Sequence, residues 1–274
     1  MYTVSKRAND YKQPRGGFIP PSTFEKTKIE DGIELKGENI SPGIIGTVVD
    51  YMVRFLNGSS LDEAFAIPML GAKLLKKERE ASKLLYSIDG LDDNSIIAAC
   101  KIVAFDAVVR AGVIAYKPIE EINPDEDTVF NIKAMIKRCQ KFIDNYGPIV
   151  AEGMTFIGGY TGTVVSGDAD FMTEDTIWDL KVTKNAIKSS QTLQILMYYL
   201  MGRRTIMLNA EYDFKNKIKK IGIYNPRLNE IYIKSINEID EQIIKEVEEQ
   251  VIGYNSKSID PHLKSMLDKF TDKK

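Results

Sequence analysis

Apolar positions recur with a helical period over the first half of the chain, and from about residue 149 they fall into shorter runs typical of strands. The segment SPGIIGTVVDYMVRFLNG sets apolar residues at helical spacing behind Ser41 and Pro42 and stops at Asn57 and Gly58, which predicts a capped helix. Similar spacing predicts helices over about 71–88, 93–114 and 126–146. The last opens on NPDED, with acids at the positive end of the helix dipole. Next come IVAEGMTFI, TVVSGDADFM and TIWDLKVT, rich in β-branched and aromatic residues and separated by GGYTG and TEDT. They predict three antiparallel strands joined by hairpin turns. QTLQILMYYLMG then reads as a helix with Gly202 as its C-cap, KKIGIYNPR and NEIYIKSI as two strands joined at 225–229, and NEIDEQIIKEVEEQVIG as an acidic closing helix capped by Asn237.

This order predicts an α/β or α+β layered fold with a mixed sheet and a mostly helical N-terminal half. Residues 1–40 are polar and rich in Gly and Pro, without sustained periodicity, and are expected to form an extended or partly disordered arm. One domain is expected over 41–260, mainly helical over 41–147, with a sheet and helix over 148–235 and a closing helix over 237–252. A polar tail follows over 261–274.

Composition narrows the chemistry. With 43% apolar residues among 274, a packed core is within reach. The longest apolar stretch, from residue 97, is interrupted by Lys101, Asp106 and Arg110, so it reads as a core helix and no membrane partner is expected. The N-terminus lacks the apolar region of a signal peptide, which predicts a cytoplasmic location. Cys100 and Cys139 lie far apart and outside any C-x-x-C pair, so both are expected to be buried thiols. His262 is the sole histidine and sits in the polar tail, which argues against a Ser–His–Asp triad, a Cys–His pair and a His-ligated metal. Carboxylates, lysines and a metal that prefers oxygen ligands remain.

Formal net charge is −2, yet residues 180–234 carry +8, eleven bases against three acids. A field of that sign attracts a polyanion, although a lysine-rich solvated face balanced by acids elsewhere gives the same count.

The segment GDADFMTEDTIWDLK gathers Asp168, Asp170, Asp179 and Lys181 on two neighbouring strands. Strand parity puts Asp168 with Asp170 on one face and Asp179 with Lys181 on one face, so a hairpin in register brings three carboxylates and an ammonium together. Crowded carboxylates raise one another's pKa unless a cation intervenes, and an all-oxygen donor set suits Mg²⁺ or Mn²⁺.

GDAD, then DLK, then a helix carrying Gln194 and Tyr198 one turn apart resembles the PD-(D/E)XK nuclease superfamily, closest to its RecB-like and lambda-exonuclease-like branches. The match covers roughly residues 149–225. It implies a restriction-endonuclease-like mixed central sheet flanked by helices. By the resemblance, Asp170 and Asp179 are metal ligands, Leu180 lends a backbone carbonyl, and Lys181 is the catalytic lysine. Gln194 and Tyr198 flank the site and contact the DNA backbone or hold the lysine. Many family members place an acid or a histidine on the first core helix; here the candidates are Asp50 and, on the strand before the hairpin, Glu152, which would suit a second metal or a water position. Asp168 is either an extra ligand or an ordinary acid at a strand edge. Lys184, Lys188, Arg203 and Arg204 are the candidate DNA contacts, with Tyr198 and Tyr199 as further contacts or core residues.

The implied activity is Mg²⁺- or Mn²⁺-dependent hydrolysis of DNA phosphodiesters, with RNA the less favoured substrate. An exonuclease of recombination, phage replication or antiphage defence is expected. The competing reading is a catalytically silent nuclease-like module that binds nucleic acid or a partner protein. The resemblance leaves room for a homo-oligomer, and the lack of a Walker A pattern assigns any helicase or recombination partner to a separate protein.

Overall fold

A computed structural model of the chain describes residues 1–254. His262 and the tail over 261–274 lie outside the described residues. The elements in order are β1 (Tyr2–Thr3), α1 (Val4–Asp10), β2 (Glu25–Lys28), α2 (Pro42–Leu56), α3 (Leu61–Ala64), α4 (Ala66–Leu74), α5 (Glu78–Leu85), α6 (Asp93–Val103), α7 (Asp106–Ala111) and α8 (Glu126–Tyr146). They continue with β3 (Ala151–Thr155), β4 (Val164–Ser166), β5 (Asp168–Met172), β6 (Thr176–Leu180), α9 (Ser189–Gly202), α10 (Ile206–Tyr212), α11 (Phe214–Lys217), β7 (Lys220–Asn225), β8 (Glu230–Ser235) and α12 (Glu241–Glu246). The protein is α/β, with a mixed six-stranded sheet flanked by helices in the order β2-β8-β7-β6-β5-β3. β6 and β7 run parallel, and the other neighbours in this sheet run antiparallel. No helix among the described residues is long and apolar enough to cross a membrane.

Two hydrophobic cores lie against the sheet. One joins α2, α6 and α8 to Phe171, Trp178, Tyr224 and Ile231. Phe142 of α8 stacks on Tyr224 at 4.3 Å and meets Trp178 edge-on at 4.8 Å, geometries that aromatic quadrupoles favour. The other joins α1 and α9 to Ile177, Ile221 and Ile223. β6 therefore has an apolar layer on both sides, as a central strand requires.

The helices α2 and α8 follow the sequence pattern. Ser41 accepts from the Gly43 amide, Pro42 fills the first turn and Asn57 caps the C-terminus, while Asp125 accepts from the Thr128 amide to open α8. The expected helix over 71–88 is instead α4 and α5, divided at Lys76 with φ of 58°. No glycine or proline signals that break in the sequence. The helix expected over 93–114 divides at Ala104 and Phe105, where Phe105 is fully buried and stacks on Tyr116. Gly202 is not an αL cap: it ends α9 in helical conformation, and a side chain there would strike the Phe214 ring at 2.5 Å. Nor does Asn237 cap the closing helix, which begins after Asp240 as α12 and finishes in a π-helical turn over Val247–Ile252. Helices α10 and α11 have no counterpart in the sequence expectation.

The largest difference concerns residues 1–40. β1 pairs with β4, β2 forms an edge of the main sheet, and Val4, Ala8, Phe18, Ile19 and Phe24 are buried. Arg7 binds the carbonyls of Val251 and Gln250, each at 2.8 Å, and tethers α1 to the end of the closing helix. These contacts are too few and too widely spaced to register as periodicity, but they hold the segment to the body.

Candidate active site

The site lies where β5 and β6 part. Their ladder pairs Met172 with Ile177 and Phe171 with Trp178 and goes no further. One step on, Asp170 and Asp179 are the next opposed residues. The Leu180 amide, released from the ladder, donates to Asp170 Oδ2 at 2.6 Å. A carboxylate thus replaces a main-chain acceptor, which satisfies the amide and fixes the aspartate. In an extended strand a residue's N–H and C=O point to the same edge, so the Leu180 carbonyl faces the Asp170 side as well.

On β6, Asp179 is 2% exposed, and Lys181, two residues on and on the same face, sets Nζ 2.8 Å from it. The ammonium donates to Oδ1 and lies 2.8 Å from Oδ2 as well, so it faces both oxygens of the Asp179 carboxylate. From α9, Gln194 Nε2 reaches Tyr198 Oη at 2.9 Å, Ser5 Oγ at 3.0 Å and, at 3.4 Å, Asp179 Oδ1. Gln194 and Tyr198 are both buried, and Tyr198 stacks on Phe156 at 5.4 Å. They support Asp179 from behind and offer no face to a nucleic acid; Tyr199, also buried, packs near Phe214. Ser5 is the participant that sequence reasoning missed, because nothing in its neighbourhood marks it and its partner lies in another part of the chain. Gly167 has a packing role: a side chain there would meet Val4 of α1 at 2.6 Å.

The two candidates for a further ligand are already engaged. Asp50, on α2, takes a two-pronged bond from Arg54, Nε to Oδ1 at 3.0 Å and Nη2 to Oδ2 at 2.9 Å. Glu152, on β3, accepts from Asn57 Nδ2 at 3.3 Å and Ser59 Oγ at 3.1 Å. Both nevertheless line one small cavity with Arg54, Asp170 and Leu180. Asp168 is exposed and lies at the rim, in a neighbouring cleft of about 560 Å³ that Arg54 also lines.

Electrostatics reflect this crowding. Burial, reinforced by Asp170, pushes the Asp179 carboxyl up to about 7, against the pull of Lys181. Burial likewise pushes Asp50 up to about 7 despite Arg54, although 24% of its side chain meets solvent. Asp170 is raised by burial too, with Lys181 opposing. Burial disfavours the charge on Lys181, but Asp179 and Asp170 outweigh it and hold its pKa above the ordinary lysine value. Lys181 is therefore a fixed cation at neutral pH and cannot serve as a resting base.

The donor chemistry fits a hard divalent cation. Carboxyls that retain protons near neutrality because burial strips them of water would exchange those protons for Mg²⁺ or Mn²⁺, with the ion sharing Asp179 with Lys181. Among the described residues no three His, Cys, Asp or Glu side chains form a metal-enclosing group. Mg²⁺ needs no such cage, since it is commonly bound through one or two carboxylates and keeps several waters. Asp170, Asp179 and the Leu180 carbonyl supply that minimum.

A stability test follows from the sign of these shifts. Asp50 and Asp179 bind protons more tightly folded than unfolded, so their contribution is complete below about pH 4 and disappears as pH rises through about 7. In EDTA the melting temperature is expected to fall between pH 5 and pH 8, and millimolar Mg²⁺ to reverse most of the fall. A melting temperature that climbs across that interval in EDTA contradicts the assignment.

The basic stretch over 180–234 is less positive in space than in sequence. Lys181, Lys184, Arg204, Lys220, Arg227 and Lys234 are all in ion pairs, with Asp179, Glu38, Glu248, Asp175, Glu38 and Glu238. Lys184 and Lys188 are exposed on the loop that leaves β6 and enters α9. Arg203 and Arg204 sit past the other end of α9, about 14–15 Å along the helix direction from Gln194 at about 1.5 Å per residue. Arg204 lies over the Tyr254 ring at 3.9 Å and Arg203 over Tyr199 at 5.8 Å, so both guanidiniums are engaged away from the acids. Cys100 and Cys139 are free, buried thiols, and burial raises both pKa values.

Comparison of the chain with protein-family models, with curated proteins and with solved structures finds no match.

Proposed function

We propose that this protein is a Mg²⁺- or Mn²⁺-dependent DNA nuclease of the PD-(D/E)XK kind, with a restriction-endonuclease-like core. One observation carries the reading: Asp170, Asp179 and Lys181 meet where β5 and β6 separate, with Gln194 and Tyr198 of the next helix closing behind them. A salt bridge of purely structural value would not need a second, half-buried carboxyl beside it, because each added acid raises the cost of the first.

Asp170, Asp179 and the Leu180 carbonyl would hold the ion, which supplies a water acidified for attack and charge to set against the phosphate. Lys181, kept protonated by its two aspartates, offsets negative charge as it grows on the phosphoryl oxygens. Gln194 keeps Asp179 in one orientation and the Leu180 amide does the same for Asp170, so neither carboxylate must reorganise as the reaction proceeds. Lys184 and Lys188, exposed on the loop between β6 and α9, are the residues that would contact a phosphate backbone in this reading.

The test is incubation of purified protein with linear and with closed circular DNA in Mg²⁺, Mn²⁺ or EDTA. Linear DNA is expected to be degraded in either metal, circles spared and EDTA to stop the reaction. Nicked circles would make the enzyme an endonuclease. No cleavage of DNA in either metal would leave the binding-module reading in its place.

A further inference from the structure

Asp50, Glu152, Asp168 and Asp170 gather around the join between the small cavity and the open cleft, and Arg54 lines both. Its side chain is only 19% exposed. Asp50 occupies Nε–H and one Nη2–H, while both Nη1 hydrogens and the second Nη2 hydrogen remain for other acceptors. Nη1 sits 3.3 Å from the point where a side chain on residue 153 would begin. That residue is Gly153, with φ of 55°, and the register of β3 against β5 sets it opposite Asp170. A side chain at 153 would press on the guanidinium; glycine leaves it seated beside the acids.

Two-ion hydrolases of phosphodiesters set the second divalent cation a few ångströms from the first, so that positive charge flanks the phosphate on both sides. Here the groups suited to such an ion, Asp50 and Glu152, are bound to Arg54 and to Asn57 and Ser59 respectively. We propose that the Arg54 guanidinium holds the place of a second divalent cation, so that the centre takes one ion and Arg54 supplies the second positive charge to the phosphate. This inference rests on the nuclease reading above. A guanidinium suits the task because its planar fork can bind Asp50 on one edge and phosphate oxygens on another.

The experiment counts Mn²⁺ bound per chain, by loss of the free-ion electron paramagnetic resonance signal, in wild type, Arg54→Lys and Arg54→Met. The expected counts are one, one and two, because methionine fills much of the arginine stem's space but frees Asp50 for a second ion. A count of two in wild type, or of one in folded Arg54→Met, overturns the inference and leaves the nuclease reading standing. No ion bound by wild type overturns both. Anomalous scattering from Mn²⁺ in wild-type crystals decides the matter without any variant. A single peak beside Asp170 and Asp179 with the Asp50–Arg54 pair intact supports the inference, and a second peak against Asp50 or Glu152 overturns it.

Discussion

Lys181→Ala is expected to lower DNA cleavage by about a thousandfold, within the range found when a positioned proton-transfer or charge-stabilising group is removed. The variant should still fold. Removing one member of a buried ion pair commonly costs about 3–5 kcal/mol because the other charge is stranded. Asp179 has an escape from that penalty: its carboxyl already stands at about 7, and without Lys181 it takes up a proton at neutral pH. The loss should therefore appear in the turnover number, with the circular dichroism spectrum unchanged and the melting temperature at pH 6 little altered. Wild-type rates from Lys181→Ala, with Mg²⁺ or Mn²⁺ supplied, would refute the role.

The second large effect concerns Arg138 of α8, whose partners include three carbonyls that no proton can satisfy. All five of its N–H groups are used: Nε and Nη2 on Asp31 at 2.6 and 2.9 Å, Nη2 on the Ile33 carbonyl at 2.9 Å, and Nη1 on the carbonyls of Pro226 and Arg227 at 3.0 and 3.1 Å. The side chain is 6% exposed. Its bond to Asp31 holds that carboxyl below the usual range, so the pair is charged at neutral pH. Arg138→Ala strands this anion and three carbonyls, and a cost of about 3–5 kcal/mol is expected, which lowers the melting temperature of a chain this size by about 10 °C. Arg138→Lys should recover only a small part, since an ammonium cannot reproduce the planar fork. A melt of Arg138→Ala that overlays the wild type would show that these bonds hold nothing together.

Several features of the fold were readable from residues alone, and the reason is physical in each case. Helices α2 and α8 combine a continuous apolar stripe with a capping side chain, so pattern and local hydrogen bonding agree. Asp170, Asp179 and Lys181 stood out because charges on a central strand break an otherwise apolar run. What escaped the reading depends on distant partners. The break at Lys76 has no local signal, and the order of residues 1–40 rests on scattered contacts with α9, β8 and the end of the closing helix. Arg54 illustrates the limit best. The sequence marks Asp50 as a candidate ligand and does not single out Arg54, because their pairing four apart on α2 and the gap at Gly153 are visible only in three dimensions.

The position of α1 against α9 governs when the site can come into being. During synthesis residues 4–10 are made long before residues 189–202, and Ser5 must wait for Gln194 before their 3.0 Å bond can close. Until then Asp170 and Asp179 have no complete frame around them. A half-made chain on the ribosome therefore carries Asp170 and Asp179 before Gln194 stands beside Asp179 and before α1 has a helix to pack against.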